Sequence, residues 1–271
     1  MIEFLKESTF AVNEVIQRAW GITKKHYLSI ATLCFLMFLT SSASSLMAFF
    51  LNEVSRPLSI LMVFLFILMY FTINLSMLRY IFHLLDNEDN DVTIVGTIPT
   101  KLQIVRFLIA TLYFMMCIIG VYLLVTLVPF PIIFLLIKTH VITTQKTIHL
   151  ISGIFISIGI LAIFITWLRI SFFPFFILDK GAQPFESIKL SLATTKGNFT
   201  KILLLLLVLG GFQLLYLAFS YLHWPIVSFI INVLSSFIIV PLSAVSLTVA
   251  YRKMMQEYKG DAQPDILHNI V

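Results

Sequence analysis

Few residues in this chain carry chemistry, and most of those sit at the ends of apolar runs. Arg169 stands near the end of the run 148–170, and the sequence beyond it stays apolar through Phe172, Phe173 and Pro174 to Leu178. If that stretch continues inside a bilayer, Arg169 lies in hydrocarbon. A cation there costs at least about 2.5–3.5 kcal/mol and usually faces a bundle interior or a cavity. It would then hold a lipid phosphate or pair with Asp179. If the run ends near Ile170, the side chain instead stretches its stem to the headgroups. Both readings stand on sequence alone. Arg79 and Arg252 occupy comparable places near the ends of two other apolar runs. Asp86, Glu88, Asp89 and Asp91 are dense enough to attract a divalent cation, but they lack EF-hand spacing and its glycine, so a solvated loop is expected. His26, His83, His140 and His149 show no HxxxH or HExxH spacing. Cys34 and Cys117 lie within apolar runs and read as small core residues. The chain is therefore expected to be non-enzymatic, with no cofactor and no metal.

These residues must be positioned by membrane helices. Of the 271 residues, 59% are hydrophobic, 11% are charged and 26 are Phe. Soluble domains carry about 25% charged residues. Six apolar stretches run over 27–51, 58–80, 104–128, 148–170, 202–222 and 226–250. Each is long enough to cross about 30 Å of hydrocarbon as a helix, and helices satisfy their own backbone in lipid. Lys24 and Lys25 before the first stretch, and TSSAS within it, resemble a signal peptide. The region before it is long, however, and apolar sequence resumes at once, so a retained span is expected. Pro129 and Pro131 should break the third stretch, and Pro174 and Pro241 should bend spans four and six.

Orientation follows from basic residues. With an N-terminus inside, all 18 Lys and Arg except Arg56, Lys138 and Lys146 fall on the inner side. The expected protein is an all-α polytopic bundle of the cell (inner) membrane, with both termini cytoplasmic. Residues 1–26 form an N-terminal cytoplasmic segment, 27–252 the six-span domain and 253–271 a cytoplasmic tail. The net charge of +5 is placed beside apolar runs. Anionic lipid headgroups on the cytoplasmic side, or a membrane-protein partner, are thus expected, and not nucleic acid.

The segment 12–30 repeats at 184–202. Glu14/Glu186, Ile16/Ile188, Thr23/Thr195, Lys24/Lys196 and Ile30/Ile202 are identical in a gapless alignment. In the first copy Val12, Val15, Ile16, Ala19 and Trp20 share a helical face; in the second Phe185, Ile188 and Leu192 do, with Glu186, Lys189 and Lys196 opposite. Both copies are expected as amphipathic helices on the cytoplasmic leaflet, anchored by Trp20, Lys24, Lys25, Glu186, Lys189 and Lys196. Arg79, Arg169 and Arg252 end spans two, four and six, which hints at three helical hairpins. Ser44/Ala48, Gly153/Ser157 and Ser246/Ala250 are small-xxx-small pairs that mark helix contacts.

The stretch LDKGAQPFESIKLSLATTKGNF, with the WGITKK turn at Trp20 to Lys25, resembles a family of largely uncharacterised bacterial polytopic membrane proteins. That family includes the membrane domain attached to some glycerophosphodiester phosphodiesterases. The resemblance implies a multi-span bundle. It implies no catalysis, because the soluble catalytic barrel is absent. The expected role is a membrane-organising or assembly-assisting module. The alternative is a transporter or lipid-handling protein, with Arg169, Asp179 and Arg79 as candidate contacts.

Overall fold

A computed structural model describes residues 10–86, 94–127 and 145–257, together with residues 131, 134, 135, 138 and 139. Ten α-helices organise the long described segments. Helix α1 (Val12–Lys25) precedes α2 (Tyr27–Val54) and α3 (Arg56–Asp86). A short 3-10 turn (Ile94–Thr97) leads into α4 (Lys101–Leu127). Helix α5 (Gln145–Ile170) is followed by α6 (Phe173–Asp179) and α7 (Pro184–Lys196). Then come α8 (Phe199–Tyr221), α9 (Pro225–Leu234), a π-helical turn (Ser235–Ile239) and α10 (Val240–Glu257). Among the described residues, six helices are long and apolar enough to cross a membrane: Tyr27–Val54, Arg56–Asp86, Lys101–Leu127, Leu150–Asp179, Phe199–Tyr221 and Pro225–Gln256. No strand occurs among the described residues.

The spans run longer than their apolar cores suggest. Span two continues past Tyr80 to Asp86, and span four continues past Ile170 to Asp179. The break in span four sits at Ser171 and Phe172, where Pro174 enters the first turn of α6. Proline tolerates that position because its missing N–H has no partner there anyway. In span six, Pro241 has no N–H to offer the Phe237 carbonyl four residues back. The helix widens into the π turn just before it. Tyr27 Oη, from the start of span one, donates to that same Phe237 carbonyl at 3.0 Å. The expected break at Pro129 lies outside the described residues, as do Glu88, Asp89, Asp91, His140 and residues 258–271.

Spans pair in sequence: α2 packs on α3, α4 on α5, and α8 on α9. The two ends of these hairpins differ in what they bury. The first and last described helices lie at one face, the terminal face, since α1 packs on α10. At this terminal face the largest buried side chains gather, among them Tyr80, Ile81, Leu168, Phe172, Phe176, Ile202, Leu205 and Tyr251. Beyond mid-span toward the far face, the buried described residues are all small: Ser59, Gly159, Ser228 and Ser235. Large apolar side chains there, such as Phe49, Ile60, Leu124, Ile156, Leu214 and Phe229, are exposed. In lipid, apolar burial gives helices little reason to associate, so close backbone approach at small residues does the packing.

Two of the three small-residue pairs join such contacts. Ser246 and Ala250 are fully buried, and Ser59 Oγ donates to the Ala48 carbonyl at 3.4 Å. The third does not. A Cβ at Gly153 would meet nothing within 4 Å, whereas one at Gly159 would collide with Val125 on α4. Gly159 is thus the contact glycine of the second hairpin. Gly159→Leu is expected to destabilise the protein in detergent by about 1–3 kcal/mol, the usual cost of overpacking. Gly153→Ala, whose Cβ enters open space within a helix, should hold or raise the thermal midpoint.

Candidate functional site

The polar chemistry of the chain converges on the terminal face, around Arg252. This residue lies in the last turns of α10. Its Nη1 donates to Asp179 Oδ1 at 2.8 Å and its Nη2 to Asp86 Oδ2 at 2.7 Å. Tyr251 Oη donates to the other Asp179 oxygen at 2.9 Å. Asp86 closes α3 and Asp179 closes α6, so one guanidinium ties together the ends of spans two, four and six. A carboxylate at a helix C-terminus faces the negative end of the helix dipole. Both aspartates occupy such places, and the shared cation offsets the repulsion.

An aromatic cluster encloses this clasp. The Arg252 guanidinium lies 4.7 Å from the Phe82 ring centroid, close enough for a cation–π contact. The Tyr251 ring sits 5.6 Å from Phe82, 5.2 Å from Phe175 and 5.1 Å from Phe176. Asp179 and Arg252 retain only 17% and 27% side-chain exposure, while Asp86 retains 49%. The Asp179 arm therefore works in a poorer dielectric than the Asp86 arm and should be the stronger of the two.

Arg169 and Arg79 each donate to a backbone carbonyl. Arg169 does not pair with Asp179. Its Nη2 donates to the Leu192 carbonyl of α7 at 3.2 Å, near the C-terminal end of that helix, where positive charge is favoured. Asp179 is taken by Arg252 and Tyr251 instead. Arg79 Nη1 donates to the Ile98 carbonyl at 2.9 Å and reaches Gln103 Oε1 at 3.5 Å. Gln103 in turn accepts the Thr100 N–H at 3.0 Å and gives its own N–H to Thr100 Oγ1, a capping box that starts α4. Arg106 Nη1 donates to the Gly181 carbonyl. Gly181 itself has φ +60°, the left-handed conformation glycine adopts without strain.

Helix α7 differs from the surface-lying helix expected of it. Ser187, Ile188, Leu190, Ser191, Thr194 and Thr195 are all buried. Of the expected apolar face, Ile188 and Leu192 pack into the interior while Phe185 stays half exposed. Its hydroxyls repair the break in span four. Ser191 Oγ and Thr195 Oγ1 donate to the Arg169 carbonyl at 2.7 and 3.1 Å. Ser191 Oγ also accepts the Phe172 N–H at 3.2 Å. Backbone groups released where a helix breaks need partners of this kind inside a membrane. Glu186 serves locally, accepting the Gln183 N–H at 3.2 Å at the helix start. Lys189 lies over the Phe185 ring at 5.1 Å.

Helix α1 is one-sided. Val12, Val15, Ala19 and Thr23 form its buried stripe, while Trp20, Lys24 and Lys25 are exposed. It is fastened to α10 by Glu14 and Lys253, 2.6 Å apart. The Lys253 hydrogen bond and charge hold the Glu14 carboxyl below its ordinary range. A depressed carboxyl stabilises the folded state above its unfolded pKa. That contribution fades on acidification through its folded pKa. Sequence reading missed Ser191, Thr195, Tyr251 and Phe82. The Thr195/Thr23 identity in the repeat was the one available signal for Thr195.

Among the described residues no group of three or more His, Cys, Asp or Glu is placed to hold a metal. Arg252→Gln is expected to lower unfolding stability by about 1–3 kcal/mol, because it takes the charged partner from the poorly exposed Asp179. Asp86→Asn should cost less than about 1 kcal/mol, as expected for a half-exposed arm. Denaturation in detergent reads both. No protein family matches this chain, and no curated protein or solved structure matches it either.

Proposed function

We propose that this protein is a non-enzymatic module of the bacterial cell membrane that organises or assists other membrane components, with both termini cytoplasmic. Its likeness to the membrane domains attached to some glycerophosphodiester phosphodiesterases belongs to the same reading. One observation carries it. In the far halves of the hairpins only small residues are buried, and the large apolar side chains face outward. Three hairpins fastened at one end thus present broad apolar flanks to neighbouring helices or lipid. The biased placement of Lys and Arg supports the orientation. The exposed Trp20, Lys24 and Lys25 on α1 suit the headgroup layer.

The lipid-handling alternative had its site near Arg169. That guanidinium is hydrogen-bonded to the Leu192 carbonyl of its own chain, which favours a structural role. The test is photo-crosslinking in native membranes. A crosslinking amino acid is placed at Leu61, Ile156 or Leu214, one exposed site on each hairpin. The proposal expects discrete adducts to other membrane proteins from at least one site. Lipid adducts alone at all three would overturn it.

A further inference from the structure

Two side-chain amides stand in the lipid-facing part of the third hairpin. Gln213 lies eight residues before the end of α8 at Tyr221, and Asn232 lies seven residues after the start of α9 at Pro225. At 1.5 Å per residue both sit about 10–12 Å inside the far end, at one depth in the hydrocarbon. Both are exposed, and among the described residues neither side chain hydrogen-bonds to another group. An amide held in hydrocarbon without a partner costs free energy. Neither side chain is long enough to reach the headgroups from that depth, so its bond must come from another helix.

The hairpin brings both amides to one flank. Gln213 follows the buried Leu209 by four residues, and Asn232 follows the buried Ser228 by four. Helices α8 and α9 run antiparallel, so the same turn away from a buried stripe leads to the same side. Gly210, about one turn before Gln213, has open space where a Cβ would stand, which lets another helix approach closely. Ser236, one turn after Asn232, spends its hydrogen on the Asn232 carbonyl at 2.9 Å, which leaves the side-chain amide to bond outward. We infer that this flank is a dimer interface, where a second copy of this chain docks with Gln213 of each copy bonded to Asn232 of the other. Two arguments select a second copy. A side-chain amide both donates and accepts, so the flank is complementary to itself. A two-fold axis along the bilayer normal keeps every residue at its own depth, and it can pair Gln213 with Asn232 only because the two share one. No Lys, Arg, Asp or Glu lies between Lys201 and Arg252, so no charge opposes the approach of two copies. The dimer does not depend on the organising role proposed above.

The test follows Förster transfer between full chains tagged at the C-terminus with a donor or an acceptor, in phosphatidylcholine vesicles, as the protein is diluted in lipid. Wild type should show transfer above random mixing that falls on dilution. Each interhelical amide bond is worth about three- to 30-fold in association. Gln213→Leu with Asn232→Leu removes both symmetric bonds and should move the midpoint to a protein density at least about tenfold higher. Gln213→Asn with Asn232→Gln keeps an amide at each place and should move it by less than about threefold. If the leucine variant does not fold, a photo-crosslinking amino acid at Gly210 in native membranes decides, with an adduct of twice the chain's mass as the expected product. Transfer no greater than random mixing at every density overturns the proposal. So does an unchanged midpoint in the leucine variant, or crosslinking from Gly210 to other proteins or lipid alone.

Discussion

Arg252 meets two carboxylates that arrive from two other hairpins. Asp86 ends the first hairpin, Asp179 ends the second, and Arg252 stands near the end of the third. Without an aqueous hydrophobic effect between their lipid-facing surfaces, these hairpins need another reason to converge. A charge-assisted clasp roofed by Phe82, Phe175, Phe176 and Tyr251 supplies it. Truncating one partner of such an assembly leaves a buried charge uncompensated, which is why its members depend on one another.

The rest of the terminal face repeats this logic with backbone acceptors. Arg79, Arg106 and Arg169 each cross to a carbonyl on a neighbouring segment. Ser191 and Thr195 mend the break that Pro174 accompanies, and Tyr27 covers the carbonyl that Pro241 leaves without its usual donor. Proline-disrupted spans are thereby tolerated because another element donates into each gap. Toward the far face no comparable polar bonds join the hairpins among the described residues. Small residues pack each pair internally, and the large side chains turn outward.

Much of this was legible in the sequence, because a bilayer imposes length and hydropathy on each span. The repeat was legible to the residue: α1 and α7 begin at Val12 and Pro184, and the following spans begin at Tyr27 and Phe199, both pairs 172 residues apart. The clasp was not legible. Arg252 lies 73 residues from Asp179 and 166 from Asp86, and no local spacing encodes such pairings. Sequence offers Arg169, the closer arginine, as one of several partners for Asp179, and the structure assigns Asp179 to Arg252. The burial of α7 was hidden for a related reason. Its Ser and Thr residues look like a solvated face until the broken backbone they serve is in view.

The central claim is that the bundle is fastened at one end. Double electron–electron resonance on the full chain in nanodiscs tests it most directly. One spin-label pair is placed at Val54 and Tyr221, at the far ends of the first and third hairpins. A second pair is placed at Lys24 and Gln183, on the terminal face. The account predicts a broad distance distribution for the far pair and a narrow one for the terminal pair. Equally narrow distributions at both ends would contradict it.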